Sequence, residues 1–436
     1  MKNKFLILFI FILAINNNAQ TYDINSFLEL VKKNNKDIQI AMKDLEIAET
    51  QDAQARASAY PQISAKAGYN RNLKDAFLFV DFGSLMGEST GTPSKFKINY
   101  KNEFSAQAVV SQQVFNFSVF NAIKAAEQYQ KLTDYVFDAT FQGIINGSKK
   151  AFYQTLLLKK VLDVNKEATK NAEDNYLDMK KKYDTGLASE FEMLQAEVRW
   201  QNNIPLVTQS ERNYNLAINS LKLLAGLKPE ESFEISGELN KIEEKPQMLE
   251  LQDVLTNRPD YNALLWEKNL RETNVDVEFS GHLPSLYASF AYQFSSQSDY
   301  FKFDRMNNYL IAGLTLNIPI FTGWNTSAKV QKAKIEAEQS NLKLSKTENE
   351  IFIQINNLDL KLKEAENRIV SAETTFKIAK KAFDIATISS ENGLATQLEL
   401  KDASIGYDQA QLNYFAAVYE YLEAYFDWEL AVGITK

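Results

Sequence analysis

Four short segments of the chain alternate apolar and polar residues with a period of two, which is the pattern of strands with one apolar face. They lie at about residues 62–72, 102–115, 284–295 and 308–319. Each is about ten residues long, the length that a tilted strand needs to cross a bilayer. Their other faces are small or uncharged apart from Lys66, as a water-filled lumen permits. The pattern predicts membrane strands, with a soluble sandwich as the alternative.

Between and after these strands the apolar period becomes that of long helices. No Pro or Gly interrupts residues 324–389, which is enough chain for roughly 100 Å of helix at about 1.5 Å per residue. Residues 351–386 keep the strict four-three spacing of a heptad seam, and a more polar seam covers residues 144–179. We therefore expect two helical hairpins, at about 119–225 and 324–432.

The two seams are 207 positions apart, which indicates an internal two-fold sequence repeat. Each copy would contain a helix, two strands and a helical hairpin, over residues 20–227 and 251–436. Residues 228–250 break the helical pattern with Gly and Pro, and we interpret them as an equatorial-type connector on the surface. The loop between the first two strands is the longer one. Its surplus, at about 77–95, is expected to be an exposed extracellular loop.

The chain begins with a pattern that does not belong to either copy. Lys2 and Lys4 precede the apolar run from Phe5 to Ile15, and polar Asn residues and Ala19 follow it. This pattern predicts a secretory signal peptide over residues 1–19, because the run is shorter than the about 20 residues that a spanning helix needs. The alternative is an uncleaved anchor.

The composition of the chain excludes several classes of function. The formal charge of −8 becomes −10 when residues 1–19 and their two lysines are removed, and no basic patch indicates a nucleic-acid partner. The chain contains no cysteine, which excludes disulfides, thiol chemistry and the lipid-acceptor Cys of a lipoprotein. No later segment has the about 18 consecutive apolar residues of a spanning helix. Membrane attachment is therefore expected to depend on the strands.

Four membrane strands cannot close a barrel, and open strand edges are not tolerated in lipid. The chain is therefore expected to oligomerise. A trimer would supply twelve strands, an even number within the range of outer membrane barrels, whereas a dimer would supply eight, whose interior is filled by side chains. The same trimer would bring twelve long helical arms together in an aqueous compartment.

Two turns have nearly the same sequence, TGLAS at residues 185–189 and NGLAT at residues 392–396. Each provides a glycine for the left-handed end of one helix and a capping box for the start of the next. These residues are Gly186 with Ser189 and Glu192, and Gly393 with Thr396 and Glu399. Helix-end chemistry does not explain Leu187 and Leu394, which the turn should expose. Exposed apolar residues at a tip indicate a partner surface.

With these strands, hairpins and paired turns, the mature chain resembles the outer membrane efflux protein (TolC) family over essentially its whole length. The resemblance implies an α+β membrane protein. It would be a homotrimer whose twelve-stranded β-barrel, with four strands from each chain, is continuous with a long α-helical coiled-coil tunnel in the periplasm. It also implies a passive exit duct in the outer membrane of a Gram-negative bacterium.

Such a duct would serve a tripartite efflux pump or a type I secretion system. It would export small molecules, such as drugs and toxic compounds, or proteins. The expected partners are a periplasmic adaptor (membrane fusion) protein, an inner-membrane pump and outer membrane lipid. The positions that would meet the adaptor's hairpin tip are Gly186, Leu187, Gly393 and Leu394.

Acidic residues of the family form rings that narrow the periplasmic entrance, and Asp402 and Glu399 stand at these positions. Asp402 is the stronger gate candidate because Glu399 already has a capping role, and an ordinary solvated face is the alternative for both. The family has a basic residue two positions after the turn glycine. Ala395 stands there in this chain, so a salt-bridge lock on the closed tip is not expected in the family's form.

Enzymatic function is not expected. With no cysteine, one histidine, no Walker loop and no dinucleotide fingerprint, the sequence contains no catalytic motif. We likewise expect no cofactor and no metal. The alternative function is a non-pore periplasmic coiled-coil scaffold or adaptor of an export complex, and the four alternating strands argue against it.

Overall fold

The computed structural model describes residues 20–80, 93–240 and 249–435. The expected signal peptide, the middle of the long loop and part of the connector lie outside the described residues. The chain divides into two compact units. The helical unit comprises Met1–Leu45, Asp134–Ala263 and Leu344–Lys436, and the strand unit comprises Glu46–Thr133 and Leu264–Lys343. Within the described ranges, none of the helices has both the length and the apolar character that spanning a membrane requires.

The described elements alternate short helices, strands and long helices. In the first half they are β1 (Gln20–Tyr22), α1 (Ile24–Asn34), α2 (Lys36–Ala57), β2 (Gln62–Arg71), β3 (Phe77–Val80), β4 (Ser94–Lys97), β5 (Asn102–Asn116), α3 (Phe117–Asp184), α4 (Glu190–Leu224) and β6 (Phe233–Ile235). In the second half they are α5 (Leu251–Asn257), α6 (Pro259–Phe279), a short 3₁₀ turn (Ser280–His282), β7 (Ser285–Ser298), β8 (Asn307–Asn317), α7 (Asn325–Glu391) and α8 (Gln397–Ala431).

The four alternating segments of the sequence form one antiparallel sheet in the strand unit, in the order β2-β5-β7-β8. Among the described residues, the outer strands β2 and β8 are each paired along one edge only. Two smaller pairs accompany this sheet, parallel β1 with β6 in the helical unit and antiparallel β3 with β4 in the strand unit. The sequence predicted an exposed loop at about 77–95, and the two ends of this segment form the β3–β4 pair, while residues 81–92 lie outside the described residues.

Cross-strand register gives the four-stranded sheet two different faces. One face carries Ile63, Ala65, Ala67, Tyr69, Phe104, Ala106, Ala108, Val110, Phe290, Tyr292, Phe294, Leu310, Ala312, Leu314 and Leu316. Leu310, Leu314 and Leu316 are 64%, 73% and 60% exposed, so the strand unit does not cover this face. The opposite face is built mainly from Ser, Gln, Gly and Thr. Because exposed apolar area costs about 25 cal/mol per Å², the first face requires an apolar environment.

The connection between β7 and β8 folds back over one end of the apolar face of this sheet. The rings of Phe301 and Phe303 lie 5.5 Å and 4.8 Å from the ring of Phe104. The Ser296 hydroxyl donates a hydrogen bond to the Asp304 carbonyl at 2.6 Å and accepts one from the Asp304 amide at 2.9 Å. These contacts order a connection that the sequence pattern alone did not specify.

The helical unit is built from two long helices and two return helices. Helices α3 and α7 contain 68 and 67 residues, and α4 and α8 contain 35 each. The largest side chains of the core come from both halves of the chain and are at most 1% exposed, among them Phe27, Phe152, Leu221, Tyr421 and Leu422. Burial of each such side chain contributes roughly 1.5–3 kcal/mol. Because these side chains come from both halves of the chain and pack in one cluster, the two hairpins share one core.

The carbonyl ends of the return helices α4 and α8 are closed by side chains from the junctions between short helices. The Asn35 side chain, between α1 and α2, donates to the Leu224 carbonyl at 2.8 Å. The Arg258 side chain, between α5 and α6, donates to the Ala431 carbonyl at 2.9 Å. Leu224 and Ala431 are 207 positions apart, so the same end of both return helices is satisfied, once by an amide and once by a guanidinium.

Arg258 is 8% exposed and uses its other donors as well. Its Nε and Nη2 atoms donate to the Asp260 carboxylate at 3.0 Å and 2.6 Å, and Nη1 donates to the Gln354 side chain at 3.0 Å. Burial raises the pKa of Asp260, but the bonds and charge of Arg258 outweigh burial and lower it overall. Four of the five N–H groups of this buried guanidinium thus donate hydrogen bonds, and its charge is paired with a carboxylate, which offsets its desolvation.

Each joint also depends on a glycine just after the return helix. Gly226 and Gly433 have φ of 65° and 75°. A Cβ on Gly226 would lie 2.4 Å from the Asn34 carbonyl oxygen, and one on Gly433 would lie 2.6 Å from the Asn257 carbonyl oxygen. Both sites therefore combine a left-handed backbone with close contact to the end of another helix.

We expect Gly433→Ala to lower the stability of the protein by about 2–4 kcal/mol, because left-handed strain and steric overlap add. Gly186→Ala is the matched control. Its φ is 75° and a Cβ there would meet nothing within 4 Å, so strain alone should cost about 1–2 kcal/mol. Thermal unfolding of the purified variants measures both effects. Equal losses of stability in the two variants would mean that the overlap of the new Cβ with the Asn257 carbonyl oxygen is relieved without cost.

Candidate functional site

The two hairpins of the helical unit end in turns with the same hydrogen bonds. Gly186 and Gly393 have φ of 75° and 70°. The amide of Leu187 donates to the Lys182 carbonyl at 2.7 Å, and the amide of Leu394 donates to the Ser389 carbonyl at 2.8 Å. This is the Schellman pattern, which satisfies the last carbonyls of a helix and requires a left-handed residue.

The return helices begin in capping boxes. Ser189 and Glu192 exchange hydrogen bonds at the start of α4, and Thr396 and Glu399 do so at the start of α8. In the second box the Glu399 carboxylate accepts from the Thr396 amide at 2.7 Å. That backbone bond, followed by the bond from the Thr396 hydroxyl, lowers the pKa of Glu399. Local chemistry therefore accounts for the Gly, Ser/Thr and Glu of both turns.

The turns expose their leucines far more than helix geometry requires. Leu187 is 81% exposed and Leu394 is 83% exposed. Ala188 and Ala395, which follow them, are half-buried against the turn. Leu187 and Leu394 are thus the most exposed apolar side chains of their tips, and Phe191 and Leu398 just beyond the turns are 68% and 60% exposed.

The two acidic gate candidates, Glu399 and Asp402, differ in the hydrogen bonds of their carboxylates. Glu399 is held by its capping bonds. Asp402 is exposed on the first turns of α8, and none of the described residues forms an ion pair or a hydrogen bond with its carboxylate. The position 207 residues before Asp402 is Gln195, so the carboxylate occurs in one hairpin only.

Above the tips, polar side chains link the two hairpins of the chain, and the sequence reasoning did not identify them. Arg199 of α4 donates to the Ser404 hydroxyl of α8 at 2.5 Å, and Asn175 of α3 donates to Gln397 of α8 at 3.1 Å. A cavity of about 520 Å³ lies beside these links. A signal was available, because the position 207 residues after Arg199 is Gly406, which breaks the similarity of the two hairpins.

A carboxylate lies close to this link. Burial raises the pKa of Asp408 to about 6, although the Arg199 guanidinium lowers it, and Glu167 raises it further. Asp408 thus lies between two groups of opposite charge, Arg199 and Glu167. No group of three or more His, Cys, Asp or Glu side chains in the described part of the chain is arranged to hold a metal ion.

Comparison with known proteins agrees with the fold. The chain is 22% identical over 387 residues to the outer membrane protein TolC of Vibrio cholerae, covering 85% of this chain and 83% of that protein. It is 18% identical to the alkaline protease secretion protein AprF of Pseudomonas aeruginosa, covering 97% of this chain and 87% of that protein. Among solved structures, the CmeC outer membrane channel of Campylobacter jejuni superposes with a TM-score of 0.79 at 19% identity, covering 94% and 85% of the two chains.

The family model described as outer membrane efflux protein matches residues 27–227 and 251–433. The gap between the two matched ranges is the connector that the sequence analysis identified. The relatives are outer membrane proteins, and the protein is accordingly an outer membrane protein of a Gram-negative bacterium with its helical part in the periplasm. The expected family resemblance is confirmed: the chain belongs to the outer membrane efflux protein family.

Proposed function

We propose that the protein is a passive exit duct, a homotrimer whose twelve-stranded barrel continues into a periplasmic tunnel of long helices. It exports small molecules or proteins that an inner-membrane pump delivers through a periplasmic adaptor. The family supports efflux, and the relative named for alkaline protease secretion extends the range to secretion. Energy for transport comes from the pump, since the duct itself provides a pathway.

One observation carries this proposal: the sheet of the strand unit has an exposed apolar face, a polar face with few charges, and two edges that no other described strand pairs. Backbone groups along an open edge in lipid cost several kcal/mol each when unpaired, so a membrane sheet must close. With three copies, β8 of one chain pairs with β2 of the next. The apolar face then meets lipid and the polar face lines a water-filled lumen.

The helical unit supports the second half of the duct. Its long helices and return helices come in two matching sets of 68 and 35, and 67 and 35 residues. We interpret these sets as the two copies of an internal repeat, covering residues 20–227 and 251–436. Three chains then provide six pseudo-equivalent hairpins, which is the arrangement that a tunnel wall requires. The tips of these hairpins form the periplasmic end.

Two roles follow for the tip residues. Gly186, Leu187, Gly393 and Leu394 form the docking surface for the adaptor, because the exposed leucines have no role in the turns themselves. Asp402, with Glu399 beside it, narrows the entrance with carboxylates. Like charges around a narrow mouth attract cations and oppose closure unless ions bridge them.

The duct is tested by charges placed on adjacent positions of β8. Leu314→Arg puts a guanidinium on the apolar face and should cost about 2–4 kcal/mol at the bilayer centre, so heat-modifiable trimers should disappear. Thr315→Arg puts the same group on the polar face, where trimers and planar-bilayer conductance should persist with altered ion selectivity. If both variants behave alike, or the wild type conducts no current at any voltage, the protein is not a barrel and the scaffold alternative gains support.

For the gate, Asp402→Ala should raise single-channel conductance or remove block by a multivalent cation such as hexaamminecobalt, because the carboxylates at the mouth are lost. Gln195→Ala removes a neutral side chain at the corresponding position of the other hairpin. It should leave both quantities unchanged. An unaltered current–voltage curve and unaltered block in Asp402→Ala would refute the carboxylate entrance.

For docking, the double variant Leu187→Ser and Leu394→Ser should abolish export in cells while trimers and conductance in bilayers stay normal. The physical reason is that the adaptor loses the apolar side chains that it buries, with no change inside the duct. Glu190→Ala, an exposed polar change beside the first tip, is the control and should export normally. Full export by the double variant would remove the leucines from the docking surface.

A further inference from the structure

On the polar face of the four-stranded sheet, one row has a long side chain from each of the four strands. Lys66 pairs with Gln107, Gln107 with Gln293, and Gln293 with Tyr309. One residue from each strand therefore lies in a single row across the sheet, perpendicular to the strands. Since neighbouring strands are about 4.8 Å apart, the four side chains form a continuous line.

The rows on either side are shorter. On one side the register gives Gly68, Ser105, Ser295 and Asn307, and on the other it gives Ser64, Val109, Ala291 and Ile311. No residue in these rows has the length of lysine, glutamine or tyrosine. The row through Lys66 consequently projects further from the sheet than the two rows beside it.

The row contains one cationic side chain, Lys66, and three neutral side chains that can donate hydrogen bonds. The Tyr309 hydroxyl donates a hydrogen bond to the Gln293 side-chain oxygen, which fixes these two side chains together. A hollow of about 270 Å³ lies among Lys66, Gln107, Gln293 and Tyr309. Lys66 forms no ion pair with any of the described residues. The other charged side chain of this face, Glu103, accepts a hydrogen bond from Asn72 at 2.8 Å at the far end of the sheet.

We propose that Lys66, Gln107, Gln293 and Tyr309 form a ring in the barrel lumen that binds the anionic groups of departing solutes. This inference rests on the proposed function, because three copies of the row close into a ring only in the trimeric barrel. The ring then has three ammonium groups and six glutamine amides facing the pathway, in a wall that is otherwise nearly uncharged. Carboxylates and phosphates are the groups that such cations and amide donors recognise.

The ring also gives the duct opposite charges at its two ends. The carboxylates of Asp402 attract cations at the periplasmic mouth, whereas Lys66 attracts anions inside the barrel. Substrates with an anionic group would therefore pause at this level of the barrel before release. The specificity of the barrel differs from that of the tip, and the two can be measured separately by the side from which a blocker is added.

Inorganic tripolyphosphate is the probe, added to the barrel side of trimers in planar bilayers at about 0.1 M salt, where the screening length is about 10 Å. We expect it to block the wild-type current, and Lys66→Gln to weaken this block about tenfold, which corresponds to about 1.4 kcal/mol. Lys66→Arg should retain the block. Lys302→Gln is the control, because Lys302 is exposed in the β7–β8 connection and is not part of the row.

The outcomes separate the ring from the duct. Wild-type current with the same block in Lys66→Gln would overturn the ring and leave the duct standing. An equal loss of block in Lys302→Gln would also overturn it, since the effect would then come from general surface charge. Absence of any wild-type current would overturn the duct and the ring together. Heat-modifiable trimers in all variants show that the comparison concerns folded protein.

Discussion

A sheet with one exposed apolar face and two unpaired edges is the constraint on which the rest of this protein depends. Water penalises the apolar face, and lipid penalises the open edges, so neither environment accepts a single copy of the strand unit. In the proposed trimer, pairing of β8 with β2 of the next copy would make lipid an acceptable environment. The same closure would make the opposite face the lining of a lumen and each polar residue of that face a member of a ring. Assembly and pathway would then follow from one packing requirement.

The helical unit is subject to a different constraint. Its long helices must be held in a defined relation with few buried side chains. Its shared core is concentrated near the carbonyl ends of the return helices, where Asn35 and Arg258 satisfy the last carbonyls. Gly226 and Gly433 permit the close approach of the short helices there. Towards the tips the hairpins are held by polar links, such as that of Arg199 with Ser404, and by stacked rings, such as Tyr176 with Trp200 and Phe383 with Tyr407.

Few charged side chains occupy the polar face of the sheet, and those at the tips differ in their bonding. The chain carries a formal charge of −8, yet the polar face of the sheet has few charged side chains, and Lys66 forms no ion pair there with the described part of the chain. At the tips the Asp402 carboxylate has no hydrogen-bond or ion-pair partner among the residues that the structure describes, whereas Glu399 is held by its capping bonds. Asp408, with a pKa raised to about 6 by burial, adds a titratable group between the hairpins. Because isolated charges in a narrow passage are weakly screened, a few positions can dominate its selectivity.

The sequence by itself determined the elements whose causes are local. Alternation with period two marks the four strands, the heptad seams mark the long helices, and the turn glycines and capping boxes mark the tips. These features depend on residues within a few positions of one another. Register, joints and links were decided by tertiary structure, since they join distant residues such as Asn35 to Leu224 and Arg199 to Ser404. Lys66 stands out in the sequence as a charge on a polar face, but only cross-strand pairing aligns it with Gln107, Gln293 and Tyr309. A strand's own sequence determines which face a side chain occupies, whereas hydrogen bonding between strands determines its neighbours.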